Sequence, residues 1–180
     1  MKNIFFIAAL CCSFFANAQI NKVSLQASGL TCSMCSNSIN KSLQTLAFVQ
    51  KVEANISTST FDISFKPGTT VDFDQIKKKV EAAGFFVAKF STTIHFNNQA
   101  LANDGHITID GMVFHFLNVM NQTLDGDKTI QLLDKGYVTA KAYKANSKYT
   151  LKDCYKTGVA AACCAKDGLK PGTRIFHATI

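Results

Sequence analysis

Apolar and polar positions follow two different periods in the first half of the chain. Side chains alternate within residues 22–27 and 61–65, which predicts two strands that each have one buried face. Residues 49–55 are also strand-like. Between these strands, apolar residues in 36–46 recur at helical spacing, as an amphipathic helix requires.

A second helix has clear start and stop signals. Asp72 can cap its first turn, and Gln75, three residues on, completes a capping box. Gly84 suits the left-handed residue just after a helix, and residues 85–90 resume a strand. The predicted order is β-α-β-β-α-β, which folds into a four-stranded antiparallel sheet with both helices on one face.

Residues 92–180 have a different pattern, rich in β-branched and aromatic residues. Turns are expected where glycine occurs among polar residues, at 103–105, 124–127 and 134–136. No long amphipathic helix is evident. We expect a small β-barrel or sandwich, resembling an OB-like barrel, built from strands in 92–96, 106–119, 129–133 and 173–180. The fold class predicted for the whole chain is therefore α+β.

Residues 1–18 have the pattern of a secretory signal peptide. Lys2 gives a positive start, residues 4–15 are almost entirely apolar, and the small residues at 16–18 form a cleavage site that would leave Gln19 first. The apolar run is shorter than the about 20 residues that span a bilayer. A lipid anchor at Cys11 is disfavoured because Leu10 precedes it. The sequence thus predicts three parts: a signal peptide (1–18), a first domain (19–91) and a second (92–180). It also predicts a periplasmic protein whose mature chain has no membrane span.

Charge and cysteine content narrow the function. The formal charge is +7, but the lysines are scattered, which favours solubility over nucleic-acid binding. Removal of residues 1–18 would leave five of the seven cysteines, an odd number that cannot all pair within one chain. Export permits disulfides. Because the number of cysteines is odd, at least one thiol is expected to be reduced, capped or bound to a metal.

The informative motif is Gly-Leu-Thr-Cys-Ser-Met-Cys at residues 29–35. Cys32 and Cys35 lie in the loop between the first strand and the first helix, where two sulfurs can hold one ion. Thiolates select soft metals such as Cu(I), and the helix N-terminus stabilises the negative charge of the Cys35 thiolate. Two ligands suit the linear coordination of Cu(I) or Hg(II), whereas Zn(II) usually takes four. Met34 is expected to face solvent.

This motif, in this place, resembles the signature Gly-Met-Thr-Cys-x-x-Cys of the heavy-metal-associated domain family. That family includes copper chaperones, domains of copper-pumping ATPases and periplasmic mercury-binding proteins. The resemblance implies a ferredoxin-like fold and a metal on Cys32 and Cys35, most simply Cu(I), with Hg(II), Ag(I) or Zn(II) as alternatives. It implies a metal-donor or metal-acceptor partner, such as a copper-transporting membrane protein. Leu30 replaces the usual Met, a change of similar volume. Phe85 matches an aromatic position that could shield the site or simply pack in the core.

Two other interpretations of Cys32 and Cys35 stay open: a structural disulfide and a redox-active pair. The second group, Cys154, Cys163 and Cys164, matches no zinc-site spacing. A disulfide from Cys154 to one of the other two is favoured. The alternatives are a second soft-metal site, a supplementary thiolate for the first site, and unpaired thiols.

The four histidines do not cluster in sequence, and each is expected to be structural. No catalytic motif is evident, so the chain is not expected to be an enzyme. We therefore expect an exported protein that carries or sequesters a soft metal, with a mercury-binding protein and a thiol-disulfide oxidoreductase as the alternatives.

Overall fold

A computed structural model describes residues 19–30 and 32–180, together with all their side chains except those of Gln19 and Cys163. The predicted signal peptide lies outside these residues. Within them, eight strands form one sheet in the order β2-β3-β1-β4-β7-β8-β6-β5. The strands are β1 (Gln19–Ser28), β2 (Val49–Asn55), β3 (Thr60–Phe65), β4 (Phe86–Leu101), β5 (Gly105–Ile109), β6 (Met112–Phe116), β7 (Gln122–Leu132) and β8 (Ile175–Thr179). The helices are α1 (Ser33–Gln44), α2 (Phe73–Ala82), α3 (Ala140–Asn146) and α4 (Cys154–Thr157).

The first half has the predicted β-α-β-β-α-β order, with antiparallel strands β2-β3-β1-β4 and helices α1 and α2 packed together. Asp72 caps α2 as predicted, since its carboxylate accepts a hydrogen bond from the Gln75 backbone at 3.0 Å. The Gln75 side chain donates to the same carboxylate rather than closing the box on the backbone. Gly84 has the expected positive φ of 88°. Helix α1 begins at Ser33, three residues earlier than predicted.

The second half is β-rich, as predicted, but its strands do not close into an OB-like barrel. They extend the first sheet, and β2 and β5 are its two edges. The cause is the length of β4, whose 16 residues pair with β1 along one side and with β7 along the other. The predicted boundary between residues 91 and 92 falls inside this strand.

Two local predictions in this half were wrong. The predicted strand region 106–119 is instead a hairpin of β5 and β6 that ends at Phe116, because Asp110 and Gly111 both take positive φ in a tight turn. Residues 124–127 lie within β7 instead of forming a turn. The turns at 103–105 and 134–136 are present. Two short helices, α3 and α4, connect β7 to β8, and no helix in the described part of the chain could span a membrane.

The two halves share one hydrophobic core. Phe73 of α2 lies against the rings of Phe90 in β4, Phe114 in β6 and Phe176 in β8, with centroids 5.0, 6.2 and 5.4 Å away. All four side chains are buried. Their contacts pack β4, β6 and β8 against α2. The division into domains 19–91 and 92–180 stays a prediction about independent folding.

Helix α4, in the connection between β7 and β8, packs on the opposite face of the sheet. Side chains alternate along a strand, so Phe114 and Phe176 face α2 while their neighbours His115 and His177 face away from it. The buried Cys154 and Tyr155 of α4 pack on this second face. Cysteine and histidine side chains therefore lie in two separate places within the described residues.

Candidate metal centre

Cys32 and Cys35 are held together by the start of α1. Cys32 is the N-cap, with extended φ and ψ of −153° and 159°. Its Sγ accepts a hydrogen bond from the backbone N–H of Cys35 at 3.3 Å, and its carbonyl accepts one from Ser36. The Cys32 thiol thus accepts the hydrogen bond that a Ser or Asp side-chain oxygen usually accepts at a helix N-cap. Because Cys32 caps the helix, Cys35 lies in the first turn of α1 and not in the preceding loop.

Both thiols are accessible to different degrees. The Cys32 residue is exposed, and Cys35 is half-buried. Between them, Met34 is 81% exposed, which agrees with the expectation that it faces solvent. Cys32 is therefore the more solvent-exposed residue of the pair.

The surroundings favour negative charge at this helix end. No acidic residue lies in the first turn of α1, and Lys41 is the one charged side chain along the helix. The unsatisfied N–H groups of a helix N-terminus carry partial positive charge and stabilise anions there. Two thiolates, or two thiolates that share a cation, meet no nearby carboxylate on this helix.

The loop before Cys32 packs against the hydrophobic core. Gly29 has a φ of 84°, a conformation that glycine adopts readily. Leu30 is partly buried against the core, as expected of the residue that replaces Met. Phe85 also packs against the core, and its Cδ1 lies 4.0 Å from where a β-carbon on Gly29 would be. Phe85 therefore lies beside the loop, while its role as a shield, like the ligand roles of Cys32 and Cys35, stays a prediction.

The second cysteine group lies elsewhere. Cys154 and Cys164 are buried in one small apolar cluster with Val113 and Ile175, on the face away from α1. The side chain of Cys163 is outside the described atoms. The structure thus gives the loop at Cys32 no third thiolate from Cys154 or Cys164, and the disulfide predicted for this group stays a prediction.

The side chains around Cys154 were not predicted from the sequence. His106, His115 and His177 are paired in register across β5, β6 and β8. Ligand atoms of His106, His115 and Cys154 lie within 4.8 Å of one another. The fourth histidine, His95, lies apart on β4 with an exposed side chain. The one signal in the sequence was that these histidines occur inside strand-like runs.

The buried imidazoles of His106 and His115 are electrically neutral near pH 7. Burial, together with the charges of the neighbouring His106 and His177, lowers the pKa of His115 to about 4. Burial likewise lowers the pKa of His106, although its hydrogen bond to Asp167 acts in the opposite direction. A neutral imidazole has a lone pair on one ring nitrogen, and this neutral form is the one that binds metal ions.

The fold of the first half and its paired cysteines define a metal-binding domain of ferredoxin-like architecture. Comparison with known families agrees: residues 24–86 match the heavy-metal-associated domain. The rest of the chain lies outside the match.

Individual relatives are similar over the same region. A copper-transporting ATPase of Helicobacter pylori is 36% identical over 64 residues, which are 36% of this chain and 8% of that protein. A probable copper-transporting ATPase of Arabidopsis thaliana is 25% identical over 117 residues, 65% of this chain and 11% of that protein. The chain thus spans about a tenth of these relatives' length. Among solved structures, a yeast copper transporter domain studied in apo and Cu(I)-loaded states is 33% identical, with 37% of this chain and 90% of that domain covered and a TM-score of 0.34.

Proposed function

We propose that this protein is an exported carrier that binds Cu(I) between the thiolates of Cys32 and Cys35 and passes it on or sequesters it. The observation that supports this most is the placement of both thiols at the N-terminus of α1, inside a heavy-metal-associated domain. The role is binding and transfer rather than catalysis, because ligand exchange needs no covalent chemistry on a substrate.

The donor set favours Cu(I) over other ions. Two thiolates are soft ligands, and Cu(I) accepts as few as two. The relatives named above transport copper, which supports the same choice. Ag(I) and Hg(II) share the preference for two sulfurs, whereas Zn(II) would need two further ligands, which the described residues of this loop do not provide.

The order of ligand exchange in transfer follows from the difference in exposure between the two cysteine residues. A thiolate of the partner attacks the bound ion and forms a new S–Cu bond on the exposed Cys32 side. The Cu–S bond to Cys32 then breaks, and the bond to Cys35 breaks last. Each step exchanges one thiolate for another, so the oxidation state of copper is unchanged. The partner is a metal donor or acceptor with its own thiolates, such as a copper-transporting membrane protein.

Export is the second element of the proposal. It rests on the signal-peptide pattern of residues 1–18, and it locates the protein in the periplasm. Expression of the full chain, followed by fractionation and N-terminal sequencing, should give a periplasmic protein that begins at Gln19. A protein that stays in the cytoplasm with residues 1–18 attached would refute this element alone.

Copper binding is tested by competition with a chromophoric Cu(I) chelator, under anaerobic and reducing conditions, on residues 19–180. The wild type is compared with the Cys32→Ser/Cys35→Ser double variant and with Met34→Ala, a control between the two cysteines. We expect one tight equivalent in the wild type and in the control, and its loss in the double variant. Subsequent mixing with an apo acceptor that has two thiols should remove the copper.

Other outcomes would overturn the proposal. Tight binding that persists in the double variant would move the copper site away from this loop. No tight binding in any variant, together with turnover of a model disulfide that is lost in Cys35→Ser, would make the protein a thiol-disulfide oxidoreductase. A preference for Hg(II) over Cu(I) in direct competition would favour a mercury-binding role.

A further inference from the structure

Three histidines that are far apart in the chain form one row across the second half of the sheet. His106 pairs with His115 across β5 and β6, and His115 pairs with His177 across β6 and β8. The rings of His106 and His115 stack at 4.3 Å, and His177 meets His115 edge-on at 5.1 Å. All three face α4, where the thiol of Cys154 is fully buried.

Each imidazole in the row is held by a different carboxylate. Nδ1 of His106 lies 2.6 Å from Asp167, and Nε2 of His115 lies 2.8 Å from Asp104. Nδ1 of His177 lies 2.9 Å from Asp134. In histidines that bind metals, the N–H of the other ring nitrogen characteristically donates a hydrogen bond to a carboxylate in this way. That hydrogen bond fixes the tautomer and the ring orientation.

These contacts determine where the lone pairs point. A carboxylate accepts hydrogen bonds, so in each pair the histidine nitrogen carries the hydrogen. The lone pairs are then on His115 Nδ1 and His177 Nε2, which lie 3.7 and 3.5 Å from the Sγ of Cys154.

One S–H group cannot donate to both of these nitrogens. The third lone pair, on His106 Nε2, is buried and has no hydrogen-bond partner within the described residues. Three buried acceptors thus converge on a single thiol, an arrangement that a cation would satisfy and that one proton cannot.

The distances match those around a four-coordinate ion. With Zn–S of about 2.3 Å, Zn–N of about 2.0–2.1 Å and tetrahedral angles, a sulfur and a nitrogen that share one ion lie about 3.6 Å apart. The two measured S···N distances, 3.5 and 3.7 Å, lie on either side of that value. The ligand atom of His106 lies within 4.8 Å of those of His115 and Cys154.

Charge around the row also favours a cation. The carboxylates of Asp104, Asp134 and Asp167 surround it, and Lys152 and Arg174 are the basic side chains that contact them. Arg174 is shared with a further carboxylate, that of Asp74. The cluster therefore has an excess of negative charge.

We propose that His106, His115 and Cys154 form a second metal site, with His177 in the fourth position, for a transition-metal ion of intermediate softness such as Zn²⁺. Binding displaces the thiol proton of Cys154, so one M–S bond forms and one proton is released. Such an ion would fasten β5, β6 and β8 to α4, and its binding free energy would add to folding stability. The site shares no residue with the Cys32–Cys35 loop and does not depend on the function proposed for that loop.

The test uses the Cys32→Ser/Cys35→Ser variant of residues 19–180, so that any tight binding reports on the second site. Zn²⁺ affinity is measured by chelator competition under reducing conditions. Co²⁺ serves as a spectroscopic probe, because a thiolate ligand gives a charge-transfer band and tetrahedral coordination gives intense visible bands. We expect one equivalent of Zn²⁺, a Co²⁺ spectrum with both features, and a higher melting temperature with Zn²⁺ than with chelator.

Further substitutions in this background separate ligands from neighbours. Cys154→Ser should abolish the charge-transfer band, and Asp104→Asn should weaken Zn²⁺ about 10–100-fold by releasing His115. His95→Gln is the matched control: this exposed histidine also contacts a carboxylate, Asp127 at 2.7 Å, but lies outside the row, and its loss should change nothing.

Several results would overturn the proposal. These are a parent variant that gains no thermal stability from Zn²⁺, a Co²⁺ spectrum without a thiolate band, or equal effects of His95→Gln and Asp104→Asn. Alkylation of the denatured, unreduced protein that leaves Cys154 unmodified would show a disulfide there instead. Because the thermal shift is measured before any ligand is removed, a Cys154→Ser variant that fails to fold does not rescue a negative result.

Discussion

Removal of one hydroxyl group should reveal how strongly the two halves of the chain are joined. The fully buried Tyr137, which follows β7, donates a hydrogen bond of 2.7 Å to the Asp74 carboxylate in the first turn of α2. Arg174, just before β8, holds the same carboxylate at 3.0 Å. Tyr137→Phe deletes the hydroxyl and keeps the ring, which packs edge-on against Phe90 and Phe176.

The expected cost follows from the charge of the acceptor. A hydrogen bond to a charged group contributes about 1.5–3 kcal/mol. The Asp74 side chain is 32% exposed, and Arg174 remains to hold it. We therefore expect the lower end, a loss of about 1.5 kcal/mol in the free energy of unfolding. With a urea m-value of about 2 kcal/mol/M, the midpoint should fall by about 0.7 M.

The loss should depend on pH in a defined direction. Burial raises the pKa of Asp74, but the hydrogen bonds from Arg174 and Tyr137 outweigh it and hold the pKa below its ordinary 3.8. A carboxyl whose pKa is lowered by folding stabilises the protein above pH 3.8, and this contribution is lost as pH falls through the folded-state pKa. The difference between Tyr137→Phe and wild type should thus be full near pH 7 and shrink below about pH 4.

Urea unfolding at pH 7 and pH 3, on metal-free protein in chelator, measures both effects. Tyr149→Phe is the control, because the Tyr149 hydroxyl makes no hydrogen bond within the described part of the chain, and it should leave the midpoint unchanged. An unchanged midpoint for Tyr137→Phe at pH 7, or a difference that grows on acidification, would refute the role given to this contact.

Three other substitutions test local features of the fold by urea unfolding of the metal-free protein. Phe73→Ala should cost about 3–5 kcal/mol because it removes a ring buried between both halves, and the partly buried Phe65→Ala should cost clearly less; equal costs would contradict the shared core. Asp72→Ala should cost about 1 kcal/mol by removing the cap of α2, and a neutral result would contradict that role. Gly29→Ala should cost about 1–2 kcal/mol because alanine resists the positive φ, and a stabilised protein would show that the loop adopts another conformation.

Local signals in the sequence determined most of the first half. The alternation in 61–65 and the helical spacing in 36–46 each arise within one element, so they can be seen without knowledge of the rest of the fold. The cap at Asp72 and the left-handed Gly84 are equally local. The pair Cys32 and Cys35 belongs to this class, because two residues three positions apart at a helix start are close in any such fold. Helix α1 begins three residues earlier than predicted because Cys32 caps it, and cysteine is not among the residues that usually cap helices.

Tertiary structure decided what depends on strand pairing. Nothing in residues 92–101 shows that β4 continues from the first half and takes β7 as its next neighbour, so an open sheet could not be distinguished from a barrel. The row of His106, His115 and His177 exists because β6 lies between β5 and β8, and the parallel pairing of β6 with β8 requires the long connection that carries Cys154. Residues so far apart in the chain have no periodicity in common, and the sheet alone brings them together.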